Sequence, residues 1–347
     1  MIAYQLHGEQ DLRREEVPVP EVGEGEVQVR IAHNGICGSD LHFYYASAQS
    51  GWPRPRAIGH EFAGTVTAVG PGVTDTAVGD RVCVFPIDSC GECRQCRADY
   101  PVLCEVVDRS VSTIGCGSPI GAMAEYAVVP NRLIIPLPDE LTLAQGALVE
   151  PIAVATTAVQ RAEIGRDTRV AVLGGGPIGI GAVLALEALD VEQFVVVEPS
   201  PARRTALQTL TKARIVDPST EDAAAEVRAL TGGHGVDVVI ECAGVPASLD
   251  SAFAMVGKRG KIVLIGLFEK PYESFSPNPV ALMEVSVVGH NGSTKHAFRT
   301  VLQWMREGRI PTDSWVRHVP FDEAVDAGFE PLRRGEEIKI LVDLPQG

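Results

Sequence analysis

Residues 169–179 read RVAVLGGGPIG, and this run predicts the architecture of the second half of the chain. The apolar RVAVL is typical of a buried strand, and a helix-like run begins near Pro177. The glycines between them have the spacing G-x-G-x-x-G. The first permits a tight turn, the second lets a pyrophosphate approach the backbone, and the third lets helix and strand pack closely. Free N–H groups at the helix start favour phosphate. The predicted dinucleotide site comprises Gly174, Gly176, Pro177, Ile178 and Gly179.

The next predicted strand ends at Glu198, 19 residues after Gly179. A carboxylate at this point accepts hydrogen bonds from the adenosine ribose and repels a 2′-phosphate, so it favours NAD over NADP. Arg203 and Arg204 count in the other direction, since an arginine can accommodate a 2′-phosphate. The alternative is that Glu198 caps a helix or is simply solvated.

Residues 153–290 alternate strand-like and helix-like runs. The strand-like runs QFVVV and VDVVI are nearly continuous in apolar residues, as in a parallel sheet covered on both faces. Residues 1–152 carry short alternating runs separated by Gly and Pro, which predict a mostly-β domain. The helix-like HAFRTVLQWMREG then predicts a return to the first domain. The predicted fold class is α/β plus mostly-β, with a doubly wound parallel sheet in the second domain.

Four cysteines lie in CGECRQCRADYPVLC, with the spacing C-x2-C-x2-C-x7-C. Four thiolates this close can surround one Zn²⁺ tetrahedrally and leave no position for substrate. A disulfide framework is the alternative, but the other cysteines are scattered singly and no secretory signal is visible. The sequence predicts a structural zinc lobe over residues 88–105, with the ligands Cys90, Cys93, Cys96 and Cys104.

A second set of candidate ligands lies on both sides of this lobe. Cys37, His60 and Glu150 supply one thiolate, one imidazole and one carboxylate. That is the complement of a catalytic zinc with an open fourth position, and Glu61 is a candidate fourth or transient ligand. Taken singly, Cys37 fits a small buried residue and His60 a core histidine. Their occurrence together with the four-cysteine lobe favours a metal.

Six segments carry a family resemblance: GICGSDLH, GHEFAGTVTAVG, GDRV, the four-cysteine lobe, VEPIAVA and VLGGGPIG. Over essentially its whole length the chain resembles the zinc-dependent medium-chain dehydrogenase/reductase family. The Glu-Pro of VEPIAVA resembles the polyol and diol branch, which includes sorbitol and threonine dehydrogenases. The runs VVVEPSPARR and FDEAVDAGFEPLRRGEEIKILVDL are most similar to its (R,R)-butanediol dehydrogenase group.

The resemblance implies a domain plan, cofactors and an assembly. It implies a GroES-like Greek-key catalytic domain at 1–152 and 291–347 and an NAD-binding Rossmann domain at 153–290. It implies two Zn²⁺ per chain, NAD, a small alcohol or ketone substrate, and a homodimer or homotetramer. In NAD enzymes of the family a basic residue lies along the ribose, and Arg203 occupies that place.

The implied reaction is oxidation of a secondary alcohol, a vicinal diol or a polyol, with hydride transfer to NAD. Zinc lowers the pKa of bound water from about 15.7 to ~7, and a similar shift for an alcohol corresponds to about 11–12 kcal/mol. Zinc alkoxide formation then precedes hydride transfer. Ser39 and His42 match the family's proton relay, in which His42 releases the proton to solvent. Otherwise Ser39 caps a turn and His42 is a surface residue.

Several neighbouring residues carry weaker expectations. Asp40 either accepts the second ring N–H of His60 or caps the helix of SDLHFYY. Four aromatic residues line the substrate pocket or belong to the core: Phe43, Tyr44, Tyr45 and Trp52. The single cysteines are expected to be buried apolar residues: Cys83, Cys116 and Cys242. The residues expected on the nicotinamide side of the cofactor are His290, Asn291 and Lys295.

Composition argues against two classes of partner. A net charge of −15 argues against nucleic acid, which requires a surplus of Lys and Arg. No apolar run approaches the ~20 residues of a membrane-spanning helix. The amino terminus lacks a basic segment followed by an apolar one, so a cytoplasmic location is expected.

Three alternatives stay open at this point. The substrate is a vicinal diol, a polyol, a sugar acid such as idonate, or threonine, because YYASAQSGWPRPRA and SPIGAMAEY depart from the butanediol group. A zinc-free quinone or enone reductase would use NADPH, against which the candidate metal ligands and Glu198 argue. A non-catalytic nucleotide-binding protein is the third, although Cys37, Ser39 and His42 are all present.

Overall fold

The computed structural model describes residues 1–46, 55–107, 113–116, 118–268, 272 and 276–346. The chain divides into two compact units. The first comprises Met1–Glu150, Thr294–Arg306 and Trp315–Gly347, and the second comprises Pro151–Ser293 and Glu307–Ser314. Within these described residues, no helix has the length and apolar character needed to cross a membrane.

The elements are numbered in chain order. The strands are β1 (Ile2–Gly8), β2 (Asp11–Glu16), β3 (Glu26–Gly35), β4 (Arg56–Ala57), β5 (Glu61–Val69), β6 (Arg81–Val84), β7 (Tyr126–Pro130), β8 (Ile134–Pro136), β9 (Arg169–Leu173), β10 (Gln193–Val197), β11 (Arg214–Val216), β12 (Val236–Glu241), β13 (Val256–Leu264), β14 (Ser286–Gly289), β15 (Val316–Pro320) and β16 (Lys339–Asp343). The helices are α1 (Gly38–Ala46), α2 (Arg94–Arg97), α3 (Leu143–Ala147), α4 (Val149–Arg161), α5 (Pro177–Ala188), α6 (Pro201–Leu210), α7 (Ala223–Leu230), α8 (Pro246–Met255), α9 (Asn278–Met283), α10 (Lys295–Arg306) and α11 (Glu330–Arg333). Short 3₁₀ turns lie at Pro101–Leu103, Asn131–Leu133 and Phe321–Glu323, and a π turn at Ala324–Phe329.

Strands dominate the first unit because its short runs alternate in polarity. In β3, Val27, Val29 and Ile31 are buried while the residues between them are partly exposed. A three-stranded sheet has the order β2-β1-β4, and a seven-stranded sheet has the order β15-β16-β3-β5-β6-β8, with β7 also paired to β3. All these pairs are antiparallel except β15 with β16. This sheet places the ends of β3 and β5 side by side, where the candidate ligands lie.

The second unit contains a six-stranded parallel sheet with the order β11-β10-β9-β12-β13-β14. Its central strand β9 is buried on both faces, and Val170, Ala171 and Val172 in it are fully inaccessible to solvent. The edge strand β14 is exposed along its length. The strands that follow β9 in sequence pair on opposite sides of it, β10 on one side and β12 on the other. The carboxyl end of β9 is therefore a topological switch point, where parallel sheets of this kind bind ligands.

Candidate metal centre and dinucleotide site

Three of the predicted zinc ligands meet in the first unit. Cys37 lies between β3 and α1, His60 immediately precedes β5, and Glu61 is the first residue of that strand. The register of β3 and β5 places Gly35 opposite Glu61, which brings the two segments together. One ligand atom from each of Cys37, His60 and Glu61 lies within 4.8 Å of the others. A sulfur, an imidazole nitrogen and a carboxylate oxygen at this spacing fit Zn²⁺.

The Glu61 carboxylate has a cationic partner, Lys339. Lys339 is 0% exposed and Glu61 1%, and Lys339 Nζ donates to Glu61 Oε2. It also donates to the backbone carbonyl of Ile36 at 2.9 Å. Sequence reasoning missed Lys339, although a lysine leading the apolar run ILVDL was a usable signal. Lys339 therefore neutralises Glu61 and anchors it beside Cys37.

Glu150 is a buried carboxyl close enough to His60 and Glu61 to interact electrostatically with both. The pKa of Glu150 is raised to about 7, chiefly by burial. The nearby His60 acts to lower this pKa, and Glu61 acts to raise it. Among the described residues, Glu150 is not a member of the group formed by Cys37, His60 and Glu61. A cation beside such a carboxyl would favour its charged form. Glu150 thus remains a predicted ligand.

Asp40 ties together the two segments that carry Cys37 and His60. Its Oδ2 accepts the backbone N–H of Cys37 at 2.9 Å, and its Oδ1 accepts that of Gly59 at 3.3 Å. Burial raises the pKa of the Asp40 carboxyl, and His60 lowers it. The distance from Asp40 Oδ1 to His60 Nδ1 is 3.9 Å, too long for a hydrogen bond. Asp40 therefore positions the backbone here, and the predicted ring contact is not made.

Cys116 approaches His60 from another part of the chain. Its Sγ lies 3.6 Å from His60 Nδ1 and its side chain is partly exposed, so the expectation of a buried apolar residue is wrong. Sequence spacing does not reveal this approach, because it depends on a contact between segments far apart in the chain, in which Gly115 packs against the backbone of Gly59. Burial opposes the charged form of His60, but Cys116 and Cys37 raise its pKa well above the usual value. Sulfur next to the imidazole makes a donor environment that favours zinc over magnesium.

The other two single cysteines differ from each other. Cys83 is buried, as expected, and its thiol donates to the carbonyl of Ile135 at 3.7 Å. Cys242 keeps some exposed surface, but its thiol is buried enough to raise its pKa, which agrees with the expectation for the side chain. Cys242 directly follows β12, whose neighbour β9 leads into the glycine turn.

The two predicted relay residues lie on one face of α1. Ser39 and His42 are three residues apart, a spacing that places side chains on the same side of a helix. Ser39 Oγ is buried and has no hydrogen-bond partner among the described residues, whereas His42 is exposed. The relay role of Ser39 and His42 stays a prediction.

The aromatic residues after the metal motif have different surroundings. Tyr44 is buried, and its ring lies 5.2 Å from that of Phe329, so it belongs to the core. Tyr45 donates to Glu330 Oε1 at 2.6 Å and lies under the guanidinium of Arg333. The Arg56 guanidinium lies 4.1 Å from the ring centroid of Phe43. Trp52 lies outside the described residues.

The four-cysteine lobe forms a compact cluster around α2. Cys93 Sγ lies 3.4 Å from Cys96 Sγ, and Cys90 Sγ lies 3.9 Å from Cys96 Sγ. These separations exceed an S–S bond of about 2.05 Å, so the structure contains free thiols and not the alternative disulfides. One sulfur from each of four cysteines lies within 4.8 Å of the others: Cys90, Cys93, Cys96 and Cys104.

Backbone N–H groups favour ionisation of two of these thiols. The N–H groups of Glu105 and Cys96 lower the pKa of Cys93. Burial works against ionisation of Cys104, but N–H groups, including those of Val106 and Val107, lower its pKa to about 6. Thiolate is the form that binds metal, so the lobe fits a structural Zn²⁺.

The glycine turn after β9 has the conformation that the motif predicts. Gly174 has φ +99°, in the left-handed region. A side chain on Gly179 would collide with the Gly174 carbonyl. The third glycine of the motif therefore allows the helix to pack closely against the end of the strand. Gly176 is the N-cap of α5 and Pro177 its first residue, followed by Ile178. The space beside Gly176 is open up to Arg203 Nη1, at 3.8 Å from an added Cβ.

Glu198 faces this turn from the end of β10. It is 2% exposed, its Oε2 accepts the N–H of Gly175 at 2.5 Å, and its Oε1 accepts that of Ser200 at 2.7 Å. Arg203 Nη1 lies 3.9 Å from Glu198 Oε2, and Arg203 Nε has no hydrogen-bond partner among the described residues. Arg204 is engaged by the carbonyls of Glu198 and Pro199 and by Asp217 at 2.8 Å. The turn, the carboxylate and one uncommitted arginine nitrogen fit a dinucleotide.

The three residues expected on the nicotinamide side divide between the two units. Lys295 belongs to the first unit and donates to the Arg132 carbonyl at 2.6 Å. His290 and Asn291 belong to the second. His290 Nε2 lies 3.1 Å from the Val154 carbonyl, and burial lowers the His290 pKa to about 4. Their contact with a cofactor stays a prediction.

Comparison with known proteins agrees with this site. The family model described as alcohol dehydrogenase GroES-like domain matches residues 23–139, and the one described as zinc-binding dehydrogenase matches residues 177–307. The (R,R)-butanediol dehydrogenase of Bacillus subtilis (strain 168) is 36% identical over 355 residues, covering 99% of each chain. The sorbitol dehydrogenase of the same organism is 34% identical over 348 residues, covering 99% of this chain and 97% of that one. The X-ray structure of 2R,3R-butanediol dehydrogenase from Bacillus subtilis matches with a TM-score of 0.88 and 35% identity, covering 99% of both chains.

A zinc-binding Rossmann dehydrogenase is therefore the class that the fold and site define. The chain belongs to the zinc-dependent medium-chain dehydrogenase/reductase family. At the level of the family, these matches confirm the predicted fold class and the polyol and diol branch. They also confirm the dehydrogenase activity on CH–OH groups and the zinc and NAD cofactors. A small molecule is the substrate class. The zinc-free reductase and the non-catalytic protein lose their support.

Proposed function

We propose that this enzyme interconverts a vicinal diol and its hydroxyketone, with NAD as the hydride acceptor. The convergence of Cys37, His60 and Glu61 on one point carries this proposal. The 36% identity to a butanediol dehydrogenase along 99% of both chains favours a vicinal diol over polyols, sugar acids and threonine.

The residues of the first unit would hold two ions. Cys37, His60 and Glu150 would bind the catalytic Zn²⁺, with Glu61 as a fourth or transient ligand; Cys90, Cys93, Cys96 and Cys104 would bind the structural one. The catalytic ion supplies a Lewis acid that lowers the pKa of an alcohol. Lys339 would compete with the ion for Glu61, because both are cations that pair with the same carboxylate. Asp40 holds the backbone of Cys37 and Gly59, and through them the two first ligands.

A proton must leave the alcohol before hydride leaves its carbon. Ser39 supports this step because its buried Oγ has no other partner among the described residues. Ser39 would accept the alcohol proton while it gives up its own hydroxyl proton toward His42. His42 is exposed on the same face of α1 and would release a proton to solvent.

NAD is favoured over NADP by the charges around the glycine turn. Glu198 would accept hydrogen bonds from the adenosine ribose and repel a 2′-phosphate. Arg204 is already engaged by two carbonyls and Asp217, which leaves Arg203 to lie along the ribose. Gly174, Gly176, Pro177, Ile178 and Gly179 would hold the pyrophosphate.

The domain roles and the assembly complete the proposal. Residues 1–152 and 291–347 would form the catalytic domain, and residues 153–290 the NAD-binding domain. We expect a homodimer or homotetramer. A reducing compartment such as the cytoplasm suits eight cysteines that are all free thiols.

The test is NADH formation from a panel of alcohols before and after chelation, with zinc counted per chain. The panel contains (R,R)-2,3-butanediol, meso-butanediol, sorbitol, xylitol, threonine and idonate. We expect zinc-dependent turnover with (R,R)-2,3-butanediol as the best substrate. Preferred turnover of sorbitol, threonine or idonate would reject a vicinal diol as the substrate. No turnover of any panel member by a protein that holds two zinc ions would reject the proposed reaction.

Two cysteine variants distinguish loss of the catalytic zinc ligand from unfolding of the protein. Cys37→Ser should abolish turnover and remove one of the two zinc ions. Cys83→Ser changes a buried thiol that is not a predicted ligand, and it should retain both ions. Loss of one zinc ion from both variants would show that zinc content reports unfolding and not ligation.

A further inference from the structure

Strand register brings two histidines and one aspartate together on the seven-stranded sheet. Asp343 is paired with His33 where β16 and β3 run antiparallel. His318 lies on β15, the parallel neighbour of β16. His33 Nδ1 is 2.8 Å and His318 Nδ1 is 2.7 Å from the same atom, Asp343 Oδ1. The two rings meet edge to face, with centroids 5.6 Å apart.

These three side chains have the chemistry of a metal site. One ligand atom from each lies within 4.8 Å of the others. A neutral imidazole carries its proton on either nitrogen. With the proton on Nδ1, both rings donate to the aspartate oxygen. With the proton on Nε2, each Nδ1 carries a lone pair that can bind a metal ion beside the aspartate oxygen, and neither ring has changed its charge.

Donor type and exposure indicate which ion fits. Two imidazoles and one carboxylate suit borderline divalent ions such as Zn²⁺ and Ni²⁺, whereas Ca²⁺ and Mg²⁺ prefer oxygen ligands alone. The side chains are 23%, 43% and 41% exposed for His33, His318 and Asp343. An ion can therefore enter from solvent and keep water at its remaining positions.

We propose that His33, His318 and Asp343 form a third metal site for Zn²⁺ or Ni²⁺, with ligands separate from those of the two zinc sites of the family. Three strands contribute one ligand each, so the ion joins β3, β15 and β16. β3 ends at Gly35, two residues before Cys37.

The test counts metal ions on the holoenzyme that already holds two zinc ions. The protein is dialysed against Ni²⁺ near neutral pH, and nickel and zinc per chain are measured by mass spectrometry. We expect one nickel ion beyond two retained zinc ions. His33→Gln and His318→Gln should each weaken nickel binding at least ~10-fold, as expected for loss of one of three ligands. The variants should keep two zinc ions, which shows that they fold.

The matched control is His7→Gln. His7 lies on another strand, is 23% exposed, and contacts a single carboxylate, Glu15, at 3.0 Å. This variant should bind nickel as the unmodified chain does. Nickel uptake confined to replacement of zinc would overturn the proposal, as would undiminished uptake by both His33→Gln and His318→Gln.

Discussion

Replacing Lys339 with methionine should destabilise the zinc-free protein more than the zinc-loaded protein. Lys339 and Glu61 are 0% and 1% exposed, so Lys339→Met leaves a carboxylate buried without its cation. It also removes a donor from the Ile36 carbonyl. Removing one partner of a buried ion pair costs about 3–5 kcal/mol. In the zinc-loaded protein, we expect a smaller loss, because a cation beside Cys37 and His60 stabilises the freed carboxylate.

The measurement is the free energy of unfolding in urea for the unmodified chain and Lys339→Met, each with and without zinc. If the zinc-free form loses more, linkage requires tighter zinc binding by the variant, by a factor of about ten for each 1.4 kcal/mol of difference. A loss below about 1 kcal/mol in the zinc-free form would refute the reasoning. Equal losses in both forms would refute the coupling between Glu61 and the metal.

Two further variants show whether desolvation is the cause. Lys261 also donates to a carbonyl, that of Ala162 at 3.1 Å, and lies 3.6 Å from Glu163, which is 86% exposed. Lys261→Met should cost no more than about 1 kcal/mol, as for exposed ion pairs. The double variant Glu61→Gln/Lys339→Met removes both charges and should recover most of the stability that Lys339→Met loses.

Three other outcomes are expected. Cys93→Ser should leave one zinc ion per chain and lower the melting temperature, because a closed thiolate site needs four ligands. Two zinc ions per chain in this variant would contradict the assignment of the four cysteines as a structural zinc site. Glu198→Ala should raise the KM for NAD about tenfold or more and the KM for NADP less, since a charged hydrogen-bond acceptor contributes about 1.5–3 kcal/mol; an unchanged ratio of the two KM values would reject this role. Burial lowers the pKa of His290 from its usual value of 6.5 to about 4, so its contribution to stability is present above pH 6.5 and is lost as the pH falls toward 4. Urea unfolding should show a loss of about 2 kcal/mol between pH 7 and pH 5 that His290→Gln removes, and an unchanged pH dependence in that variant would exclude the assignment.

Features whose residues lie close together in the chain were predictable. The four cysteines of the lobe fall within residues 90–104, and the structure gathers their sulfurs within 4.8 Å. The glycine turn is equally local, and Gly174 has the positive φ that its motif implies. Strand and helix periodicity predicted the parallel sheet around β9, because a strand buried on both faces must be apolar along its length.

Contacts between distant segments were not predictable in the same way. Lys339 and Glu61 are 278 positions apart, and nothing near either residue names the other as its partner. Cys116 was expected to be a buried apolar residue, but its loop packs its sulfur against His60. Asp40 was equally compatible with a contact to the His60 ring and with capping the helix of SDLHFYY. The 3.9 Å separation from His60 excludes the ring contact, and Asp40 accepts the N–H groups of Cys37 and Gly59.

The chain's own order of residues determined its two kinds of domain, its cysteine lobe and its glycine turn, because periodicity, ligand spacing and backbone conformation act over a few neighbouring residues. The tertiary structure alone decided which charge neutralises Glu61 and which thiol approaches His60. It also decided that His33, His318 and Asp343 share one point. The Glu61 pair and the histidine cluster depend on the pairing of β3, β5, β15 and β16, whereas Cys116 reaches His60 through the packing of its loop against Gly59. Both kinds of contact bring together side chains that lie far apart in the sequence.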